Sequence, residues 1–260
     1  MAASLFIGRI VRSNEGGPLR RILSGGRPSR TGFYSARKSQ GRHLPWESRP
    51  AELPAIQLCD ISWRVASVMS QPHRLDIFVR GQAVPLHYIP DLGLTVEPSF
   101  AQDICSGVPL AVAATAWEPR PVLSACNVQL FLEIKNDDDP RNDDRQYQSK
   151  TKLANEVYGK LGYYFAVVNR SDGIDCIDLA AMREITADRF CKVSKTDALF
   201  VQDYLTDRGG CSLLSELINA LGGLPTAMAA IAALHFDRVL CIELAAPADR
   251  RRVSLVERER

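Results

Sequence analysis

The stretch V-Q-L-F-L-E-I-K, at Val128–Lys135, decides the fold that the sequence predicts. It is an apolar run that ends in two opposite charges, and successive side chains of a β-strand point to opposite faces of the sheet. One face then points into a core and carries Leu130, Leu132 and Ile134. The other face carries Phe131, Glu133 and Lys135. The strand therefore places a carboxylate and an ammonium group side by side at the end of a buried strand.

A second acidic residue stands upstream in Y-I-P-D-L-G-L-T-V, where Asp91 follows Pro90. If the two strands are neighbours, Asp91 and Glu133 offer the hard carboxylate oxygens that Mg²⁺ prefers. A metal ion can neutralise a phosphate, activate water and stabilise a leaving oxygen, which are the three needs of phosphodiester hydrolysis. The two strands thus predict a metal-dependent nuclease site.

Three further groups complete the predicted site. The carbonyl oxygen of Ile134 is a candidate metal ligand, and Lys135 is placed to orient the attacking water or to offset developing charge. Glu52, at the start of a predicted helix, is expected to reach the same metal ion or a second one, with Glu47 as the fallback acid. We expect Mg²⁺ as the cofactor, with Mn²⁺ able to replace it.

Each signal also has a simpler explanation when it is taken alone. A strand that ends in Glu-x-Lys is typical of an exposed salt bridge. His87 is predicted to share a strand face with Asp91, but a strand histidine is more often structural than catalytic. The acidic loop 137–144 lacks the central glycine and the terminal glutamate of an EF-hand, so we interpret it as a solvated loop.

The elements predicted upstream of the central strand are a helix and a hairpin. The helix spans about 51–68, and the hairpin pairs 74–80 with 84–96. Residues 97–127 form either an irregular insertion or a further hairpin near 110–115.

Downstream of the central strand, an amphipathic helix is predicted at 146–161 and a buried strand at 163–168. The apolar stripe of this helix consists of Leu153, Val157, Tyr158 and Leu161, and Gly162 is its predicted C-cap. The order helix, hairpin, strand, helix, strand indicates an α/β fold in which helices flank a mixed sheet.

The pattern changes beyond Phe190, where three short helices and a terminal hairpin are predicted. The helices are 197–207, 212–221 with Ser212 as N-cap, and 225–235 with Pro225 at its first position, and the hairpin pairs 238–244 with 252–256. We interpret this part as a small winged-helix-like α+β domain. The predicted division is a basic arm at 1–44, a nuclease domain at 45–192 and a partner-docking domain at 193–260.

Composition restricts the class of protein. The net charge is only +2, but residues 1–44 hold nine Lys or Arg against one acid, Glu15. Such a segment is typical of a DNA-contacting arm, with a mitochondrial transit peptide as the alternative. The seven scattered cysteines contain no C-x-x-C pair, so we expect reduced thiols and no zinc site. No apolar stretch is long enough to cross a membrane, and a cytoplasmic protein is expected.

Five short motifs in order resemble the TnsA-like endonucleases, which are the cutting subunits of heteromeric (Tn-type) transposases. Their Gly-x-x-Ser-x-Lys, E-S-x-x-E, Q-P, Y-x-P-D and E-x-K segments correspond here to residues 32–38, 47–52, 71–72, 88–91 and 133–135, with one extra residue inside each of the first two. The Pro-Asp and Glu-x-Lys pair is also the signature of the wider PD-(D/E)xK nuclease superfamily. In this chain Leu53-Pro54 replaces the bulky charged residues after the helix glutamate, and the interval from Asp91 to Glu133 is long.

The resemblance implies a restriction-endonuclease-like fold and cleavage of the 5′ strands at transposon ends in double-stranded DNA. It implies that a DDE-type transposase cuts and joins the 3′ strands, and that an AAA+ ATPase regulator docks on the C-terminal domain. A bacterial, nucleoid-associated protein is expected. Residues expected to contact DNA are Arg37, Lys38, Arg42, Lys150 and Lys152. The third C-terminal helix, T-A-M-A-A-I-A-A-L-H, carries no Lys or Arg, which favours protein docking over base reading.

Two alternatives remain open at this point. The first is a stand-alone restriction or repair nuclease of the same fold. The second is a non-catalytic subunit that assembles on DNA and keeps only the nuclease fold.

Overall fold

The computed structural model describes residues 6–19, 31–117 and 126–256 of the chain. The strands are β1 (Phe6–Val11), β2 (Gly32–Ser35), β3 (His43–Trp46), β4 (Val65–Ser70), β5 (Arg74–Val79), β6 (Leu86–Tyr88), β7 (Leu92–Val96), β8 (Val128–Lys135), β9 (Tyr164–Asn169), β10 (Cys211–Leu213), β11 (Leu240–Ile242) and β12 (Arg252–Leu255). The helices are α1 (Glu52–Ile61), α2 (Pro98–Cys105), α3 (Leu110–Ala114), α4 (Arg145–Lys160), α5 (Arg170–Gly173), α6 (Ala180–Ala187), α7 (Lys195–Thr206), α8 (Leu214–Ala220) and α9 (Thr226–Phe236). A short 3₁₀ turn covers Pro140–Asn142.

The central sheet has four strands in the order β4-β7-β8-β9. β7 pairs antiparallel with β4 and β8, whereas β8 and β9 run parallel, so the sheet is mixed, as predicted. The predicted central strand, Val128–Lys135, has the predicted bounds. Its last six residues are all buried, which explains why its sequence reads as a nearly continuous apolar run.

Two hydrophobic cores lie on the two faces of β8. One core contains the predicted inward set, Leu130, Leu132 and Ile134. Phe131 belongs to the second core, with Leu75 and Ile77 of β5 and Val157 and Tyr158 of α4. Glu133 and Lys135 are only 3% and 4% exposed, so the explanation of an exposed salt bridge is wrong.

The predicted helix at 51–68 is shorter in the structure. α1 ends at Ile61, where Ser62 adopts an extended conformation with φ −64° and ψ 129°. Residues 65–70 then form β4, because their backbone pairs with β7 instead of continuing the helix. The helical spacing of Trp63 was misleading, and the prediction was wrong beyond Ile61.

The predicted hairpin is confirmed in its first half only. β6 pairs antiparallel with β5, but it ends at Tyr88. Pro90, which lacks a backbone N–H, separates it from β7, and β7 belongs to the central sheet. The single strand predicted at 84–96 is therefore two strands in two sheets.

Neither prediction for residues 97–127 is correct where the structure describes them. α2 and α3 occupy most of this segment, with Pro98 in the first turn of α2 and Pro109 at the N-cap of α3. Phe100 and Leu110 are buried in the larger core. Residues 118–125 lie outside the described part of the chain.

The helix and strand that follow β8 are confirmed with two changes. Asp144 caps α4 by accepting a hydrogen bond from the backbone N–H of Gln146, and Gly162 follows the helix with a φ of +76°. Leu161 is 45% exposed and does not belong to the buried stripe. β9 is an edge strand, and its Val167 is 44% exposed, so the prediction of a buried strand was wrong on that face.

Part of the predicted basic arm is built into the fold. β1 pairs antiparallel with β5 along its whole length and completes a sheet of order β1-β5-β6. β2 and β3 form a separate antiparallel pair. β3 spans His43–Trp46, so the predicted boundary at residue 44 falls inside a strand. Residues 1–5 and 20–30 of the arm lie outside the described part of the chain.

The C-terminal part contains the three predicted helices and the predicted hairpin, and adds a strand. β10 precedes α8 and joins the hairpin in a sheet of order β10-β12-β11. Ser212 lies in β10 and Leu213 is the N-cap of α8, so the prediction of Ser212 as N-cap was wrong. Pro225 is the N-cap of α9 rather than its first residue.

A buried histidine joins this C-terminal part to the end of α1. Nδ1 of His235 accepts the backbone N–H of Ile242 at 3.2 Å, and Nε2 lies 3.3 Å from the carbonyl oxygen of Ile61. Nε1 of Trp63 lies 3.2 Å from the same ring. The contact with Ile242 uses Nδ1 as an acceptor and the contact with Ile61 uses Nε2 as a donor, which requires the neutral imidazole.

No helix in the described ranges is both long and apolar enough to cross a membrane. None of the seven cysteines, all of which lie in the described ranges, forms a disulfide bond, and Cys59 and Cys241 are buried.

We expect His235 to make the fold less stable in acid. Burial lowers the pKa of His235 from 6.5 to about 3, so its contribution to stability is present above pH 6.5 and is lost as the pH falls towards 3. At about 1.4 kcal/mol per pKa unit, the loss between pH 6.5 and 5 is about 2 kcal/mol. Urea unfolding at pH 7 and pH 5 should show a smaller pH dependence for His235→Gln than for the wild type.

His43→Gln is the matched control, because His43 is exposed. An unchanged pH dependence in His235→Gln would contradict the assignment of this acid sensitivity to His235.

Candidate active site

The candidate site is formed where the end of β8 meets the start of β7. Leu92 pairs with Leu132 in the antiparallel ladder, which places Asp91, one residue before β7, opposite Glu133. Oδ2 of Asp91 accepts the backbone N–H of Ile134 at 2.7 Å. The register of two neighbouring strands thus brings together the two carboxylates that the sequence predicts.

Burial and like charge act together on Asp91. The pKa of its carboxyl group is raised well above the ordinary value, first by burial and then by repulsion from Glu133 and Glu52. The hydrogen bond from Ile134 and the charge of Lys135 lower this pKa and offset only part of the shift. Carboxylates held together at such a cost to stability are typical of functional sites.

Glu133 is held by a shell of hydroxyl and ammonium groups. The Tyr88 hydroxyl donates to Oε2 at 2.6 Å, and the Tyr147 hydroxyl donates to Oε1. Lys135 Nζ lies 3.3 Å from Oε1. The side chain is therefore fixed in position from three directions.

Lys135 is a buried cation with acidic and aromatic neighbours. Its Nζ lies 3.8 Å from Oδ2 of Asp139 and 3.7 Å from the centre of the Tyr147 ring. Although it is close to Glu133, Nζ makes no hydrogen bond of good geometry in the described part of the chain. A buried ammonium with donors to spare is suited to a negatively charged group or a water in the adjoining groove.

Glu52 is close to this pair but is held by its own loop. Its Oε2 accepts the backbone N–H of Glu47 at 2.8 Å. Burial raises the pKa of Glu52 from 4.5 to about 7, and repulsion from Glu47 and Glu133 adds to the shift. Oε1 of Glu47, the fallback acid, lies 3.4 Å from Nε2 of Gln71.

A groove of about 640 Å³ opens beside Lys135. Between α4 and the edge strand β9 it is lined by Arg141, Tyr147 and Lys152, among others. The positive charge of Arg141 lowers the pKa of Glu52. Cζ of Arg141 lies 5.3 Å from the centre of the Tyr147 ring. The groove therefore presents cations next to the buried carboxylates.

The residues expected to contact DNA are only partly available. Lys38 is half-buried against the end of α1, where its Nζ donates to the carbonyl oxygens of Cys59 and Ser62, so its ammonium group already has protein partners. Arg37 forms an ion pair with Asp237, and Arg42 donates to the carbonyl oxygen of Glu15.

Lys150 and Lys152 lie on α4, on either side of Tyr147. Lys152 lines the groove beside Lys135, and Lys150 lines a second groove next to β6.

His87 does not join the candidate site. β6 ends at Tyr88, so His87 and Asp91 do not share the face of one strand. Nδ1 of His87 lies 2.7 Å from Oδ1 of Asp76 in β5, on the other side of the sheet from the Tyr88 hydroxyl. The predicted shared face was wrong, because the strand is interrupted at Pro90 and does not continue from His87 to Asp91.

Sequence reasoning missed Tyr88, Tyr147 and Arg141. Tyr88 stands in the Y-x-P-D motif, but the motif alone does not indicate that its hydroxyl reaches Glu133. Tyr147 lies in the first turn of α4 and off its apolar stripe, which is a weak signal that an aromatic side chain has another role. Arg141 reaches the groove because of the way the loop 136–144 folds, whereas the composition of this loop indicates only a solvated segment.

The donor set of the site fits a hard divalent cation through two carboxylates. Mg²⁺ commonly binds one or two carboxylates together with water and substrate phosphate. The mutual repulsion of Asp91 and Glu133 is the charge pattern that a cation would relieve. Across residues 6–19, 31–117 and 126–256, no group of three or more His, Cys, Asp or Glu side chains is arranged to hold a metal ion, so Glu52 does not join them in one such cluster.

No family model matches the chain, and a search of curated proteins finds no significant relative.

We expect removal of the Glu52 charge to stabilise the fold at high pH. Because the pKa of Glu52 is raised, its contribution to stability is full below pH 4.5 and is lost as the pH rises to about 7. At about 1.4 kcal/mol per pKa unit, and allowing for partial exposure, Glu52→Gln should gain about 2 kcal/mol at pH 8 and little at pH 4. Chemical unfolding in the presence of a chelator measures both values.

The exposed Glu156 of α4 provides the control variant, Glu156→Gln. A Glu52→Gln protein that is less stable than the wild type at pH 8 would show that the carboxylate is a structural hydrogen-bond acceptor and not a strained acid.

Proposed function

We propose that this protein is a Mg²⁺-dependent DNA endonuclease with a restriction-endonuclease-like fold. The observation that carries the proposal is the pair Asp91 and Glu133, aligned by the register of β7 and β8, with the buried Lys135 beside it. This geometry has the residue types and the order of the PD-(D/E)xK motif that the sequence resembles. Three charged groups enclosed in one place weaken a fold, and a role in chemistry accounts for them.

In this proposal Asp91 and Glu133 hold the metal ion, with the carbonyl oxygen of Ile134 as a further ligand and Glu52 as a nearby acid. When bound, Mg²⁺ supplies charge neutralisation at the scissile phosphate and makes a water more acidic. Lys135 orients the attacking water and offsets the charge that develops. Tyr88 and Tyr147 hold the Glu133 carboxylate in position through their hydroxyl groups.

We further propose that the nuclease is the cutting subunit of a heteromeric transposase, acting on the 5′ strands at transposon ends. The order α7, β10, α8, α9, β11, β12 of the C-terminal part is that of a winged helix, and it supports docking of protein partners. The partners in this proposal are a DDE-type transposase and an AAA+ ATPase regulator. The absence of Lys and Arg from α9 supports protein contact over base reading.

Metal binding is the first test of this proposal. Calorimetry with Mn²⁺ should detect binding to the wild type and its loss in both Asp91→Asn and Glu133→Gln, because each variant removes one anionic ligand. Asp138→Asn, which changes an exposed acid in the neighbouring loop, should bind Mn²⁺ like the wild type. Binding that survives both site variants would show that the two strands do not form a metal site.

Cleavage is the second test, and it separates metal binding from chemistry. Lys135→Met should keep Mn²⁺ binding but lower the rate of DNA nicking by about 10²-fold or more, because the water loses its positioning group. The assay uses supercoiled plasmid, with and without a DDE-type transposase. If Lys135→Met cleaves at the wild-type rate, Lys135 has only a structural role.

A further inference from the structure

The outer face of the β1-β5-β6 sheet carries a row of basic side chains that the active site does not use. Arg9 of β1 pairs with Asp76 of β5, and Asp76 pairs with His87 of β6, so the three side chains lie across one face of the sheet. Arg74 and Phe78 lie on the same face, because they are two residues from Asp76 in β5. We refer to Arg9, Arg74, Phe78 and His87 as the outer basic face.

One buried carboxylate organises the outer basic face. Asp76 has no exposed side-chain surface, and it accepts hydrogen bonds from Arg74 Nε at 2.7 Å and Arg9 Nη2 at 2.8 Å. His87 Nδ1 lies 2.7 Å from Oδ1, the same oxygen that accepts from Arg74 Nε. The hydrogen bond from Arg74, followed by those from Arg9 and His87, holds the pKa of Asp76 well below its usual range. The two guanidinium groups of Arg9 and Arg74 therefore share one carboxylate, and these three side chains together carry a net charge of about +1.

The positive groups remain open to a ligand. The side chains of Arg9, Arg74 and His87 are 63%, 37% and 51% exposed. Asp76 is the only acid in β1, β5 and β6. Arg9 also lies over the ring of Phe78, which is 41% exposed. Exposed arginines beside an aromatic ring are suited to a phosphate backbone.

A second groove connects this face with the active site. It has a volume of about 760 Å³ and runs between β6 and the start of α4. His87 lines it on the side of β6, and Asp144, Arg145, Tyr147 and Lys150 line it at the start of α4. The Tyr147 hydroxyl donates to Glu133, so the groove leads from the outer basic face to the carboxylates of the site.

We propose that the outer basic face binds phosphates of double-stranded DNA that flank the scissile phosphate. The inference rests on the proposed nuclease function only for the identity of the ligand. We assign the contacts to the phosphate backbone, because guanidinium groups pair well with phosphate oxygens, and such contacts carry no sequence information. Asp76 fixes the two arginines in position before DNA arrives.

The test measures DNA affinity in the Glu133→Gln background, without divalent metal, so that cleavage does not interfere. Fluorescence anisotropy with a labelled duplex is recorded over a range of salt concentrations for Arg9→Gln, Arg74→Gln and the double variant. Each lost phosphate contact should lower the slope of log K against log salt by about 0.9, and both changes together by about 1.8. The loss should be equal for two unrelated duplex sequences.

Arg252→Gln is the matched control, because Arg252 also pairs with a carboxylate, Glu243 at 2.9 Å, and is 48% exposed. Thermal unfolding of each variant confirms that the fold is retained. Arg80→Gln, at the exposed end of β5, provides a substitution that does not disturb Asp76, and it should also lower the affinity.

The outcomes separate this inference from the proposed function. If the folded variants bind with the slope of the parent while the wild type cleaves DNA, the face is only a structural ion cluster and the inference is overturned. If Mn²⁺ binding and cleavage are absent but the slope falls as expected, the DNA-binding face stands and the nuclease proposal fails. A parent protein that does not bind duplex DNA overturns the inference directly.

Discussion

The pairing of β7 with β8 is the constraint on which the rest of the structure depends. A shift of one residue in this ladder would move every side chain of β8 to the opposite face. Asp91 would then no longer stand opposite Glu133, and Leu130 and Leu132 would leave the larger core. The hydrogen bond from the backbone N–H of Ile134 to the Asp91 carboxylate stabilises the same register. Core packing and the position of the carboxylates are therefore fixed by one interaction.

The second layer of the molecule gives the site its environment. The β1-β5-β6 sheet and α4 cover the face of β8 that carries Phe131, and they enclose the side chains of Glu133 and Lys135. Burial strengthens the mutual repulsion of the carboxylates and raises the pKa of Asp91 and Glu52. The same cover supplies the tyrosine hydroxyls that hold Glu133. A site of this kind is weakened by its own charges and is stabilised by the shell around it.

The sequence predicts the elements whose signals are local. The central strand has alternating side chains and clear flanks, and α4 has both a capping aspartate and a terminal glycine, so both were found within a residue or so. β4 was missed because the spacing of Trp63 from earlier apolar residues also fits a helix, and only its pairing with β7 decides between the two. Tyr88 and Tyr147 were missed because their contact with Glu133 depends on how a separate sheet and a helix pack over β8. The contacts of Lys38 with the end of α1 were not predicted, because charge alone does not reveal that a lysine donates to carbonyl oxygens at a helix end.

Helix α1 connects the C-terminal part with the candidate site, because each of its two ends contacts one of them. Lys38 holds the final carbonyl groups of this ten-residue helix, His235 contacts the carbonyl oxygen of its last residue, and Glu52 stands at its first position. A packed helix moves nearly as a rigid rod, because its backbone hydrogen bonds resist bending. If a bound protein displaced the C-terminal part, α1 would move with it and shift Glu52, without any rearrangement of the central sheet.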